Sequence, residues 1–217
     1  MKTIKVSFLI ILFAALFACE PPVTFKEPQP LDTDNLSSFP KRLRGTYFSL
    51  SDSTKLRIDA NTICRLYDAS AMAATDSSGI NIKISGDTSI NISTTKDINS
   101  IAVAFSDDAN HTTNEIADTI FAIDYDNVLR KFKGYYFINT RYDKDSWQVQ
   151  RLSLSKGELR IGSISEENEI DDLKELSESS SDTAAPYKFS MSKKQFKKFN
   201  KGQGFSDNEV FVKLKGN

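Results

Sequence analysis

Apolar and polar residues alternate along much of the stretch 43–164, and this period of two limits the folds open to the chain. In residues 55–58, for example, Leu56 and Ile58 alternate with two basic residues. Successive side chains of a strand point to opposite faces of a sheet, so this alternation predicts strands with one buried face. Turn-forming residues, such as those at 51–53, separate consecutive strands. The predicted fold is therefore mainly β, with antiparallel meanders.

The clearest hairpin signal lies at residues 156–157, where Lys-Gly can form a two-residue turn. Such a turn would set Leu154 opposite Leu159. In the first strand of this hairpin, the apolar residues occupy odd positions up to Val149 and even positions from Leu152 onward. A bulge shifts side chains from one face of a strand to the other. The sequence therefore predicts a bulge between these two positions.

Two short helices are predicted near the C-terminus, which makes the chain α+β with β dominant. The first helix follows Ser165, whose hydroxyl can cap it. The second follows Ser192, which forms a capping box with Gln195. Met191 and Phe196 flank that box at the positions of a hydrophobic staple.

The sequence contains one short internal repeat. Residues 42–48 and 131–137 both read basic, apolar, basic, Gly, any residue, Tyr, Phe. We interpret the β-rich domain, residues 39–217, as containing two related β-units. These units would lie in one domain or form two packed lobes, 39–105 and 116–217. The alternative is a chance similarity between two strand starts.

The N-terminus has the pattern of a bacterial lipoprotein signal. Lys2 and Lys5 precede an apolar run at 6–17, which is too short to span a bilayer, and a lipobox-type segment then ends in Cys19. We predict that residues 1–18 are a cleaved signal peptide and that Cys19 becomes an acylated N-terminus held in membrane lipid. The alternative is an ordinary secretory signal with an incidental cysteine.

Residues 19–38 are rich in proline and aspartate. Proline has no N–H to donate, and proline-rich linkers are extended. The segment is therefore predicted to be a tether that holds the domain some tens of ångströms from the lipid.

The charge balance argues against one class of partner. Removal of the signal segment leaves 26 basic residues against 29 acidic ones, a formal charge of −3. Nucleic-acid-binding proteins usually carry a marked basic excess, so no nucleic-acid partner is expected. With Cys19 acylated, Cys64 remains alone, and we predict that it is a small buried hydrophobe rather than a nucleophile.

No catalytic or metal site is predicted from the remaining residue types. His111 is the only histidine, and no Gly-x-Ser-x-Gly motif accompanies it. The acid pairs Asp107 with Asp108 and Asp124 with Asp126 lack the full calcium-loop pattern, and turn formation explains them more simply. The chain is predicted not to be an enzyme and to need no cofactor.

The second predicted helix is strongly basic. We predict that it contacts an anionic surface, because cationic side chains close to a membrane are attracted to anionic headgroups. The alternative is a solvated helix face without a partner. The residues concerned are Lys193, Lys194, Lys197, Lys198 and Lys201.

Several landmarks span most of the mature chain: residues 39–47, 128–136, Trp147 with the hairpin 152–159, and 193–196. In these landmarks the chain resembles a family of uncharacterised envelope lipoproteins of Bacteroidetes-type bacteria. The resemblance implies a cellular location and no biochemical activity, and it contributes no catalytic residues.

The same resemblance implies two further expectations. Residues 20–24 do not resemble the acidic surface-export tag of that group, so we expect outer-membrane attachment facing the periplasm. Such bacteria O-glycosylate Asp-Ser or Asp-Thr motifs, and the resembling positions are Thr183, Thr119 and Ser53. Ordinary turn residues are the alternative at each position.

Together these features predict a membrane-anchored envelope lipoprotein whose β-rich domain is a non-catalytic structural or interaction module. Its partners would be membrane lipid, through the acylated N-terminus, and an unidentified protein or small molecule. The alternative function is a periplasmic small-ligand-binding β-domain with an apolar pocket between sheets.

Overall fold

The structure is a computed structural model that describes residues 20–49, 51–68, 115–177, 184–202 and 204–214. Within these residues the fold is mainly antiparallel β with two short helices near the C-terminus, as predicted. The strands are β1 Val23–Phe25, β2 Asn35–Leu36, β3 Gly45–Ser49, β4 Lys55–Ile58, β5 Thr62–Asp68, β6 Glu115–Ala122, β7 Asn127–Phe132, β8 Tyr135–Asp143, β9 Ser146–Ser155, β10 Glu158–Ser163, β11 Tyr187–Phe189 and β12 Asp207–Lys213. The helices are α1 Glu167–Leu176 and α2 Lys193–Lys201.

A single curled sheet runs in the order β2, β7, β8, β9, β10, β12, β3, β4, β5, β6. It contains two antiparallel meanders, β3 to β6 and β7 to β10, and β12 lies antiparallel between β10 and β3. Strand β5 pairs with β6 across the boundary between the lobes 39–105 and 116–217 that were considered above. The described parts of these two stretches therefore share one continuous sheet and are not separate lobes.

One face of the sheet carries the larger buried cluster, which draws on both meanders and on β12. Leu56, Leu152 and Phe211 are fully buried there. Tyr47 is also fully buried, and its hydroxyl donates to the carbonyl oxygen of Leu43 at 2.7 Å. Burial raises the pKa of Tyr47 to about 12, so the phenol stays a neutral donor within this core.

The two helices cover the other face of β8 and β9. Phe137 and Val149 point to this side and pack in a second buried cluster with Phe196 of α2, whereas Leu152 belongs to the first cluster. The parity of the apolar residues changes because different ends of β9 are buried on different faces. The pairing of β9 with β8 continues from Leu152 to Trp147 without a shift, so the predicted bulge is wrong.

Side-chain caps define where each helix begins. Ser192 Oγ accepts from the Gln195 amide, and the Gln195 side chain closes the predicted capping box. Helix α1 begins later than predicted, with Glu166 rather than Ser165 at the N-cap. The buried Glu169 carboxylate accepts from the backbone amides of both residues, which satisfies donors that the helix itself leaves unpaired.

The N-terminal segment is part of the fold, which corrects the prediction of a tether at 19–38. Strand β1 lies parallel to β11, and its Phe25 pairs with Trp147 of β9. The backbone N–H and C=O of Gln29 both bond to the buried side chain of Asn139, at 2.6 and 3.0 Å. These contacts hold the segment against the sheet instead of leaving it in solvent.

Arg130 supplies donors that the proline-rich segment lacks. Its Nη1 donates to the carbonyl oxygens of Pro28 and Pro30, and its Nε donates to Asn35 Oδ1 at 2.8 Å. Burial lowers the pKa of Arg130, because the charged guanidinium is partly withdrawn from water. The carbonyl oxygens around it offset that cost, so a half-buried arginine side chain supplies the hydrogen-bond donors that a neighbouring strand would otherwise provide.

The integrated segment leaves a short connection to Cys19. Only residues 20–22 lie between this cysteine and Val23, which is buried at 4% exposure. Four residues span at most about 14 Å when fully extended. The folded domain therefore begins within about 14 Å of the Cys19 backbone rather than some tens of ångströms away.

The two members of the internal repeat, residues 42–48 and 131–137, differ in backbone conformation. Lys133 and Gly134 form the tight turn between β7 and β8, and both have positive φ, at 50° and 90°. Glycine adopts such a conformation readily at the second position. The corresponding residues of the first member follow a 3₁₀ turn at Lys41–Leu43 instead. The shared outcome is that Tyr47 and Tyr136 are both buried in the first cluster.

Candidate functional site

Four lysines form a stripe along the solvent side of α2. Lys194, Lys197, Lys198 and Lys201 stand at positions i, i+3, i+4 and i+7, a spacing that puts side chains on one side of a helix. Phe196, which lies between them in sequence, is fully buried on the opposite side. We call these four residues the lysine stripe.

Lys193, the fifth predicted lysine, has a different role. Its Nζ donates to the carbonyl oxygen of Asp32 and lies 5.7 Å from the ring centroid of Phe132. This lysine therefore ties the start of α2 to the N-terminal segment. The predicted group of five thus divides into one structural residue and four that face solvent.

The members of the lysine stripe make no ion pair with any described residue. Together with Leu176, Ser192 and Gln195, they line a groove of about 570 Å³. The Gln195 side chain donates to the carbonyl oxygen of Leu176 at 2.7 Å and so joins the end of α1 to α2. No carboxylate of the described residues lines this groove, so its electrostatic character is cationic.

The stripe carries an electrostatic cost within the fold. Like charges at i and i+4, such as Lys194 with Lys198, destabilise a helix by about 0.2–0.5 kcal/mol per pair. The first turn of α2 contains no acidic residue, although the positive end of the helix dipole favours an anion there. Lys201 in the last turn is favourably placed. The arrangement is therefore suited to an anionic partner.

A second cleft, of about 360 Å³, lies beside the β8–β9 turn and is lined by basic, acidic and aromatic residues. One of its cations, Arg141, is paired with Asp126, and its guanidinium lies 4.2 Å from the Trp147 ring centroid and 5.3 Å from that of Tyr125. These contacts satisfy the guanidinium within the chain. The cleft is wide open to solvent, and we interpret it as a structural junction. The sequence offered no signal that pairs Arg141 with these residues.

Several residues named from the sequence lie outside the described residues. They are Cys19, Asp107, Asp108, His111 and Thr183. Asp124 accepts hydrogen bonds from the Asp126 amide and from the Asn127 side chain, as expected for a turn. Cys64 is buried at 6% exposure, as predicted for a small core residue.

Two of the predicted glycosylation positions are exposed. Ser53 lies in the turn between β3 and β4. Thr119 lies on β6 opposite Cys64, with its Oγ1 3.5 Å from the cysteine sulfur. The turn residue is the more accessible acceptor, because a strand residue is constrained by its neighbours.

We expect intact-mass measurement of the chain from its native host to show sugar mass in addition to polypeptide and lipid. Ser53→Ala should remove one increment, since it deletes the acceptor oxygen in an exposed turn. Ser51→Ala, in the same turn, is the matched control and should leave the mass of the glycan unchanged. A mass that equals polypeptide plus lipid would contradict glycosylation.

Three comparisons bear on identity. No protein-family model, curated protein or solved structure matches this chain. Within the described residues, no three metal-ligating side chains come together, and no helix has the length and apolarity needed to cross a membrane. The resemblance stated above therefore rests on its quoted residues alone.

Proposed function

We propose that this chain is a lipid-anchored envelope protein whose β-rich domain serves as a non-catalytic structural or interaction module. The proposed location is the outer membrane, with the domain facing the periplasm. The observation that carries the proposal is the basic start, short apolar run and cysteine at residues 1–19. The start of β1 four residues after Cys19 supports it, because a domain that begins there is suited to direct attachment at that cysteine.

Metabolic labelling with a palmitate analogue tests the anchor. We expect the wild-type chain to incorporate label and to sediment with membranes, whereas Cys19→Ser should lose the label because the thioether cannot form. Cys64→Ser is the matched control, since Cys64 lies buried within the domain, and it should keep the label. Equal labelling of wild type and Cys19→Ser, or none in either, would contradict the anchor.

The non-catalytic assignment is supported by how the described polar side chains are used. Glu169 and Asn139, both buried, are engaged with backbone groups, and Arg141 is paired with Asp126. Turnover of a cell-wall, glycan or peptide substrate by the purified chain would contradict this assignment. A small-ligand function has weaker support, because both clefts noted above, which are lined by described residues, are open at the surface.

A further inference from the structure

We propose that the lysine stripe of α2 docks on the anionic phosphate headgroups of the membrane that holds this protein. The stripe comprises Lys194, Lys197, Lys198 and Lys201, and its groove ends at Leu176 of α1. The inference rests on the proposed function, because it takes the anchor at Cys19 to bring the domain to a lipid surface. It adds a second, electrostatic contact to that anchor.

The charge of the stripe is local and is not a property of the whole chain. The mature chain carries a formal charge of −3, so it has no general attraction to an anionic surface. The four ammonium groups are instead collected on one helix side and make no ion pair with the described residues. An anionic surface outside the chain would relieve their mutual repulsion.

Packing places the helix pair beside the strand that leads to the anchor. Val23 of β1 is buried in the same cluster as Leu173 of α1 and Phe196 of α2. The Tyr187 amide donates to the carbonyl oxygen of Pro22, and Lys174 Nζ of α1 lies 4.6 Å from the Tyr187 ring centroid. Both helices are thus linked by direct packing to a strand that starts within about 14 Å of Cys19.

The chemistry of the groove suits lipid phosphates. Lysine binds phosphate as a mobile point charge, without the fixed geometry that arginine requires. Its apolar stem can lie along Leu176 while the ammonium group reaches outward. A surface of many phosphates satisfies four such groups at once, whereas a single small anion does not.

Vesicle sedimentation of the chain from Glu20 onward tests the inference without the anchor, and this chain includes every described residue. We expect binding to vesicles of phosphatidylcholine with phosphatidylglycerol and none to phosphatidylcholine alone. The fourfold variant Lys194→Gln, Lys197→Gln, Lys198→Gln and Lys201→Gln should bind at least about tenfold more weakly. Salt should weaken wild-type binding, because the Debye length falls from about 30 Å at 0.01 M to about 3 Å at 1 M.

A control variant removes the same charge from other exposed sites. It carries Lys41→Gln, Lys131→Gln, Lys144→Gln and Lys156→Gln, which lie on other elements of the fold. This variant should bind the anionic vesicles nearly as well as wild type. An equal loss in both variants would overturn the inference, since binding would then follow net charge alone.

Two other outcomes would also overturn it. The first is that the chain ignores anionic vesicles and binds a soluble polyanion. The second is salt-sensitive self-association that the fourfold variant abolishes. That result would mean that the lysine stripe binds exposed acidic residues of α1 in a second copy of the chain, among them Asp171, Asp172 and Glu175. Palmitate labelling of Cys19 is independent of these results, so failure of the docking face and failure of the anchor are distinguishable.

Discussion

Replacement of Phe196 by alanine is expected to lower the free energy of unfolding by about 3–5 kcal/mol, as for other buried aromatic residues. The ring is fully buried, and its centroid lies 5.1 Å from that of Phe137, 6.3 Å from Phe25 and 6.1 Å from Phe205. These neighbours belong to the sheet, to β1 and to the loop before β12. Deletion of the ring therefore opens a cavity where three separate segments meet.

Urea unfolding of the chain from Glu20 onward, followed by the fluorescence of its single tryptophan, measures this loss. Trp147 is a suitable probe because it pairs with Phe25 and is only 6% exposed. Tyr125→Ala is the matched control, since that side chain is 83% exposed and should contribute little. If Phe196→Ala cost no more than the control, the helix layer would not be packed on the sheet as described.

Replacement of Asn139 by alanine is expected to lower the free energy of unfolding by about 2–6 kcal/mol. The Asn139 side chain is fully buried and satisfies both backbone groups of Gln29. Its removal leaves two buried polar groups without partners, at about 1–3 kcal/mol each. The N-terminal segment should then detach from the sheet more readily than the rest of the domain unfolds.

Hydrogen exchange of residues 23–36, together with the same urea titration, checks this expectation. Asn139→Ala should lower the protection of that segment, whereas Asn127→Ala should not. Asn127 is a suitable control because, among the described residues, its side-chain amide donates to the exposed Asp124 and not to the N-terminal segment. A segment that exchanges freely in the wild-type chain would instead restore the prediction of a tether.

The features predicted correctly from the sequence depend on residues close together along the chain. The capping box of Ser192 and Gln195 closes within one helical turn. The two-residue turn at 156–157 sets Leu154 opposite Leu159, as its length requires. Such local arrangements are decided by backbone geometry and by a few neighbouring side chains, so they are readable without knowledge of the rest of the fold.

The errors share a different cause. Proline-rich sequence was interpreted as unpaired because proline lacks an N–H, but its carbonyl oxygens can still accept hydrogen bonds. Arg130, about one hundred residues away, donates to the carbonyl oxygens of Pro28 and Pro30, and Asn139 donates to that of Gln29 between them. The predicted bulge failed for a related reason. A change of parity at Val149 and Leu152 was attributed to the strand itself, although it reflects helices packed on one end of its outer face.

Alternation, turn chemistry and caps were enough to determine that this chain is a β-rich domain with two helices, because each acts over a few residues. The tertiary structure alone decided that β12 joins the two meanders and that residues 23–36 belong to the fold, because partners distant in sequence supply those contacts. Identification of the lysine stripe required both the sequence and the tertiary structure. Helical spacing put its members on one side of α2, and only the packing of α1 and Asp32 showed which lysine is bound internally and which four remain open to a partner.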